Sequence, residues 1–125
     1  MVPEELAGGR YVSLVTHRRN GTPVATPVWA VEDGGALLVW TRADSGKVKR
    51  LRNDGRVTVT RCDARGRVAE GAEPVEGTAR LMEGELPRVR RAMARKYGWQ
   101  FRVVDSGGAL LRRGRRPHIG VEIRF

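Results

Sequence analysis

The sequence predicts a mainly β domain: about six strands closed into a small antiparallel barrel, with two or more short helices. Three observations carry this. Stretches rich in β-branched or alternating apolar residues recur along the chain, and turn signals such as Asn20-Gly21 and Asp33-Gly34-Gly35 separate them. One segment, residues 85–97, has clear helical spacing. Six antiparallel strands in 125 residues favour closure, because closure removes exposed edges.

Arg10–Thr16 reads as the first strand, being β-branched and aromatic. Thr22–Val31 is extended again, and its prolines at 23 and 27 forbid a helix and argue for an edge strand or bulge. Ala36–Thr41 follows as a strand buried on both faces. Residues 44–55 then read as a short helix, capped by Asp44 or Ser45, with Val48 and Leu51 facing inward and Gly55 at the end. Arg56–Cys62 alternates strictly and is a fourth strand. Pro74–Met82 is a fifth, with Val75, Gly77, Ala79 and Leu81 on one face. In Glu85–Tyr97, Leu86, Val89, Met93 and Tyr97 recur at helical spacing, Pro87 suits the first turn and Gly98 the stop. Residues 99–116 carry no clear pattern; Gly107-Gly108 to Arg116 form either a lid or a plain connection. His118–Phe125 alternates as the last strand.

The length and the 40% hydrophobic content suit one domain over residues 1–125. A single cysteine excludes an internal disulfide and every cysteine-rich zinc module, and two histidines make a protein-only metal cage improbable. No apolar run approaches a membrane span, and the N-terminus lacks the pattern of a secretion signal, so the expected location is cytoplasmic. The charge is informative. Lys+Arg is 24 against 14 Asp+Glu, a net +10. Three of the basic residues are lysines (Lys47, Lys49 and Lys96) and the rest are arginines. Such a field attracts polyanions or phosphorylated small molecules.

The chemistry concentrates in Trp40–Leu51, where a strand end, a small polar loop and a helix start place Ser45, Gly46 and Lys47 together. Unpaired amides and the dipole at a helix start favour an anion, and Ser45 and Lys47 add a hydroxyl and a charge. The glycine spacing of a nucleotide-hydrolase loop is absent. Taken alone, such a segment is more commonly a capped helix with surface lysines. The proline-interrupted strand is the second unusual segment, because unpaired backbone there can hydrogen-bond a planar heterocycle. Trp29, Trp40 and Trp99 can stack on a ring system, although tryptophans more often belong to the core. No nucleophile–base pair is recognisable. An enzyme of this kind borrows its chemistry from a cofactor.

Thr26–Trp29 (TPVW), the run VWTRADSGKVKRLRND over Val39–Asp54, the segment Val57–Gly66, Arg95–Gly98 (RKYG) and the final HIGVEIRF resemble the flavin/deazaflavin-binding split-barrel superfamily that includes the pyridoxamine phosphate oxidases. Within it, the chain is most similar to the PPOX-class coenzyme F420-dependent oxidoreductases of actinobacteria. The resemblance implies a six-stranded split barrel that forms a homodimer, with the cofactor at the dimer interface. It implies that Ser45 and Lys47 bind the cofactor phosphate. Thr26, Pro27 and Val28 would run along the ring system, with Thr41 near its side chain, and Trp29 and Trp40 count among the cofactor-binding residues. Lys49, Arg50 and Lys96 would meet the acidic tail of the deazaflavin. Gly46 departs from the phosphate oxidases, which usually carry a basic residue there, and so does Thr26.

The implied activity is hydride transfer from reduced coenzyme F420 to a small conjugated acceptor such as an enone, quinone or bilin, without nucleic acid or membrane partners. The alternatives are an FMN-binding reductase or electron carrier on the same fold, a non-catalytic protein holding cofactor, haem or lipid, and a basic nucleic-acid-binding barrel. The last lacks aromatic residues interleaved with basic ones along exposed strands.

Overall fold

In the computed structural model, which describes residues 2–101 and 118–125, six strands close on themselves. They are β1 (Tyr11–His17), β2 (Pro23–Asp33), β3 (Ala36–Arg42), β4 (Arg56–Cys62), β5 (Val75–Met82) and β6 (His118–Arg124). Around them lie α1 (Glu4–Gly8), α2 (Gly46–Asn53) and α3 (Leu86–Tyr97). The order round the barrel is β1-β2-β3-β6-β5-β4, all antiparallel. This is the mainly β, six-stranded barrel that the patterning predicts. The questions about residues 107–116 fall outside the described residues.

The barrel interior is aliphatic: Val12 and Leu14 of β1 meet Leu37, Val39, Val57, Val59, Val121 and Ile123. A second cluster lies outside the barrel wall, where Val89, Ala92, Met93 and Tyr97 of α3 cover Val31, Leu38 and Met82. β3 is therefore buried on both faces, as its unbroken apolar run predicts. β6 is buried on both faces too. Gly120 makes this possible: a Cβ there would overlap Val89 and stand 3.1 Å from Met82 Sδ. The same strand carries the buried Glu122, whose carboxylate accepts from Arg80, Arg88 and Arg124. Burial pushes this carboxyl up, yet the three guanidiniums together hold it below the usual range.

Turn chemistry follows the sequence closely. Gly34 and Gly35 both adopt positive φ (60° and 80°) between β2 and β3, which suits a tight hairpin. α2 ends differently from expectation. Its last turn gives way to Asp54 in extended conformation rather than to a left-handed glycine, and the Asp54 carboxylate accepts from the Arg56 N–H and guanidinium. The short α1 has no counterpart in the sequence reading. Five residues are too few for a periodic signal; Glu4 and Glu5 at its positive end and the buried Leu6 explain it.

One irregularity positions the site. β2 pairs with β1 from Pro23 to Trp29, but with β3 only from Ala30 to Asp33. Both prolines lie in the first stretch, with a partner strand on one side only. Proline lacks the N–H that a second ladder would need. The edge character expected of this segment thus holds for half of a strand, and β2 and β3 part company at Ala30↔Val39. Among the described residues no helix is long and apolar enough to cross a membrane.

Candidate functional site

Where β2 and β3 diverge, a cleft of about 300 Å³ opens. Pro27, Val28 and Trp29 line it from β2, Trp40 and Thr41 from β3, and Lys47 from the first turn of α2. These six belong to the set singled out in the sequence. Tyr11, Arg42 and His118 complete the lining and were not anticipated as site residues. Their positions follow from the pairing of Tyr11 with Trp29 and of Arg42 with His118 across neighbouring strands, which no local motif announces.

The walls are aromatic and ordered by stacking. Trp29 stacks on Tyr97 with centroids 4.4 Å apart and planes at 13°. Trp40 stacks on the His118 ring at 4.5 Å and meets Phe101 edge-on at 5.0 Å. Trp99 is largely exposed, at 72%.

Among the described residues, three buried polar atoms have no protein partner: Thr26 Oγ1, Trp40 Nε1 and Ser45 Oγ. An unpaired buried polar group costs about 1–3 kcal/mol, so the fold is expected to compensate such atoms with a ligand or water. All three belong to residues that the sequence singles out, and Trp40 lines the cleft itself. Ser45 stands at the N-cap position of α2, yet its hydroxyl makes no capping bond.

The start of α2 carries positive charge on positive dipole. Its first turn holds no acidic residue. Burial, and then the charge of Arg50, push the Lys47 ammonium below the usual lysine range. Arg50 reaches back toward this turn: a Cβ on Gly46 would stand 2.8 Å from its Nη1. Two cations and uncapped amides at one helix end form an arrangement that an anion stabilises.

Two predicted residues lie away from the cleft. Lys49 lines a separate groove of about 530 Å³ with Arg18, Arg19, Arg52 and Asn53, and Arg50 borders this groove as well as the start of α2. Lys96 is not part of the cleft lining; its ammonium donates to the carbonyls of Ala7, Gly9 and Ala30. Burial lowers its pKa.

A sequence model of the family described as pyridoxamine 5'-phosphate oxidase matches residues 2–118. The chain belongs to that family. No protein of curated function matches it in sequence. Several solved structures share the pyridoxamine 5'-phosphate oxidase-like split barrel. The conserved hypothetical protein Rv2991 of Mycobacterium tuberculosis has a TM-score of 0.68 at 20% identity, over 98% of this chain and 79% of that one. HutZ, a heme storage protein of Vibrio cholerae, has a TM-score of 0.66 at 13% identity, over 92% and 80%. A structure described as an F420 reductase has a TM-score of 0.60 at 16% identity, over 98% and 94%. At these identities the likeness is one of fold. Within the pyridoxamine 5'-phosphate oxidase family, the cleft at the β2–β3 split and the charged start of α2 are this chain's own candidate site.

Proposed function

We propose that this protein is a coenzyme F420-dependent oxidoreductase acting on a small conjugated acceptor such as an enone, quinone or bilin. The observation that carries the reading is the buried, unpartnered Ser45 hydroxyl beside Lys47 and Arg50 at the start of α2. The residues present fit a cofactor that combines a planar ring with a phosphate.

Ser45 and Lys47 would hold the phosphate, with Arg50 adding charge. The segment Thr26–Val28 would run along the ring, with Trp29, Trp40 and Thr41 beside it. When bound, a reduced deazaflavin supplies hydride chemistry without easy one-electron steps. The chain's own part is to bind and orient. The aromatic walls exclude water from one side of the cleft and restrict how an acceptor can lie. Lys49, with Arg18 and Arg19 in the neighbouring basic groove, suits an acidic tail.

A homodimer is part of this reading. The cleft sits at the bottom of the ~300–1,000 Å³ range of small-molecule pockets, and a second copy would enclose what one chain leaves open. Neither nucleic acid nor membrane is a partner in this account.

FMN in the same cleft is the second reading, favoured by the same Ser45–Lys47 arrangement, because both cofactors carry a phosphate. The fold likeness to HutZ adds haem as a third ligand to test.

The test is catalytic. Reduced F420 is mixed with the protein and a panel of enones, quinones and bilins, and its oxidation is followed by the return of deazaflavin fluorescence. Protein-dependent oxidation with at least one acceptor is expected. Oxidation of reduced FMN alone would favour the second reading, and haem binding without either turnover would point to a carrier.

A further inference from the structure

We infer that Tyr97 is a positioning residue for the cleft, acting through Trp29, and that Lys96 anchors the same strand junction. The inference rests on the cleft being the cofactor site proposed above. It goes beyond that reading by assigning a role to residues outside the cleft.

The β1–β2 ladder ends at Tyr11↔Trp29, and the next pair in register would be Arg10 with Ala30. Tyr97 takes the place of that missing rung. Its hydroxyl accepts the Ala30 N–H at 3.0 Å and has two carbonyls within reach of its one proton, Arg10 at 2.7 Å and Ala30 at 3.0 Å; it donates to the nearer, that of Arg10. One phenolic oxygen thus bridges the backbones of Arg10 and Ala30 just beyond the end of the ladder. Ala30 is also the first residue of β2 to pair with β3. The bridge therefore sits where the barrel splits.

Lys96 completes the junction. An ammonium has three protons, and Nζ has three carbonyl acceptors, those of Ala7 (3.0 Å), Gly9 (2.7 Å) and Ala30 (2.5 Å). The two consecutive residues at the end of α3 thereby tie together α1, the segment leading into β1 and the middle of β2. Burial pushes the Tyr97 phenol up to about 12, so it stays a donor across the physiological range.

The Tyr97 ring does a second job. It stacks on Trp29, which lines the cleft, and Tyr11 meets the same indole edge-on at 6.5 Å. Hydroxyl and ring act on adjacent residues: one fixes the backbone of Ala30, the other the side chain of Trp29. The strand junction and the cleft wall are set by one side chain.

Two substitutions separate the jobs. Tyr97→Phe removes the bridge and keeps the stack; Tyr97→Leu removes both. Melting temperature, the tryptophan near-ultraviolet circular dichroism of the ligand-free protein, and affinity for oxidised F420 and for FMN are measured on each. Both variants should melt earlier. Only Tyr97→Leu should change the tryptophan dichroism and weaken cofactor binding, by roughly 3- to 10-fold, the scale of one aromatic pair. Tyr97→Met, a more adaptable filler, replaces Tyr97→Leu if that variant does not fold, with the same expectation. Affinity that follows melting temperature equally in both variants, or dichroism unchanged in Tyr97→Leu, would overturn the role. If the wild type binds neither cofactor, the functional reading fails, while the dichroism still decides whether Tyr97 sets Trp29.

Discussion

Arg50 is held by Thr16: its Nε donates to the buried Thr16 Oγ1 at 2.6 Å. This bond aims the guanidinium at the start of α2, over Gly46. Gly46 itself bears no charge, so Arg50, one helical turn later, brings a second positive charge to this turn beside Lys47. Thr16→Val should release Arg50 without changing side-chain size much. A hydrogen bond to a charged group contributes about 1.5–3 kcal/mol, so part of that is expected to appear as weaker phosphate binding. Isothermal titration with FMN or F420 checks it; affinity equal to wild type would show that Arg50 plays no part in anion binding.

Lys47→Ala should weaken cofactor binding about tenfold or more, by removing one charge-assisted contact. It should also flatten the dependence of affinity on salt, since fewer screened charges remain. Titrations of wild type and variant at two salt concentrations measure both effects. An unchanged affinity would move the phosphate away from α2.

Glu122 gives a pH prediction. Its carboxyl is held below the usual glutamate range, so it adds stability above the unfolded value, ~4.3, and loses it as the pH falls through the lower folded value. The melting temperature of the wild type should therefore drop on acidification through that window. Glu122→Gln should cost about 2 kcal/mol near neutrality, less than a fully buried pair because Arg80 and Arg124 are half-exposed. It should also show a shallower acid limb. Parallel limbs in the two proteins would assign the acid sensitivity to other carboxylates.

Gly120→Ala should destabilise by about 1–3 kcal/mol, because the added methyl meets Val89 and Met82 where α3 packs on β6. Chemical denaturation is the measurement. The substitution lies on the far side of β6 from the barrel interior, so the midpoint should fall with no change in slope.

The strands were legible because each carries its own local signal. Arg56–Cys62 alternates, Ala36–Thr41 is uniformly apolar, and glycines mark the hairpin at residues 34 and 35. The prolines at 23 and 27 announced the half-paired strand, and hence the neighbourhood of the cleft. What sequence could not show were relationships made by closure. Glu122 meets Arg80 and Arg88 across 42 and 34 residues, and Lys96 reaches Ala7 across 89. The resemblance put Lys96 at the acidic tail of the deazaflavin; in the fold three backbone carbonyls engage it. The unpartnered atoms of Thr26, Trp40 and Ser45 were equally invisible, because burial without a partner is a property of packing. Tyr11 and His118 enter the cleft by cross-strand register alone.

The most direct measurement is a fluorescence titration of the purified protein with oxidised coenzyme F420, and separately with FMN, at two salt concentrations, alongside Lys47→Ala. The account predicts saturable F420 binding at a defined stoichiometry, tighter than FMN, weakened by salt and by the substitution. FMN preferred over F420 would contradict the deazaflavin assignment. Binding of neither, or salt-sensitive binding of DNA instead, would contradict the cofactor site itself.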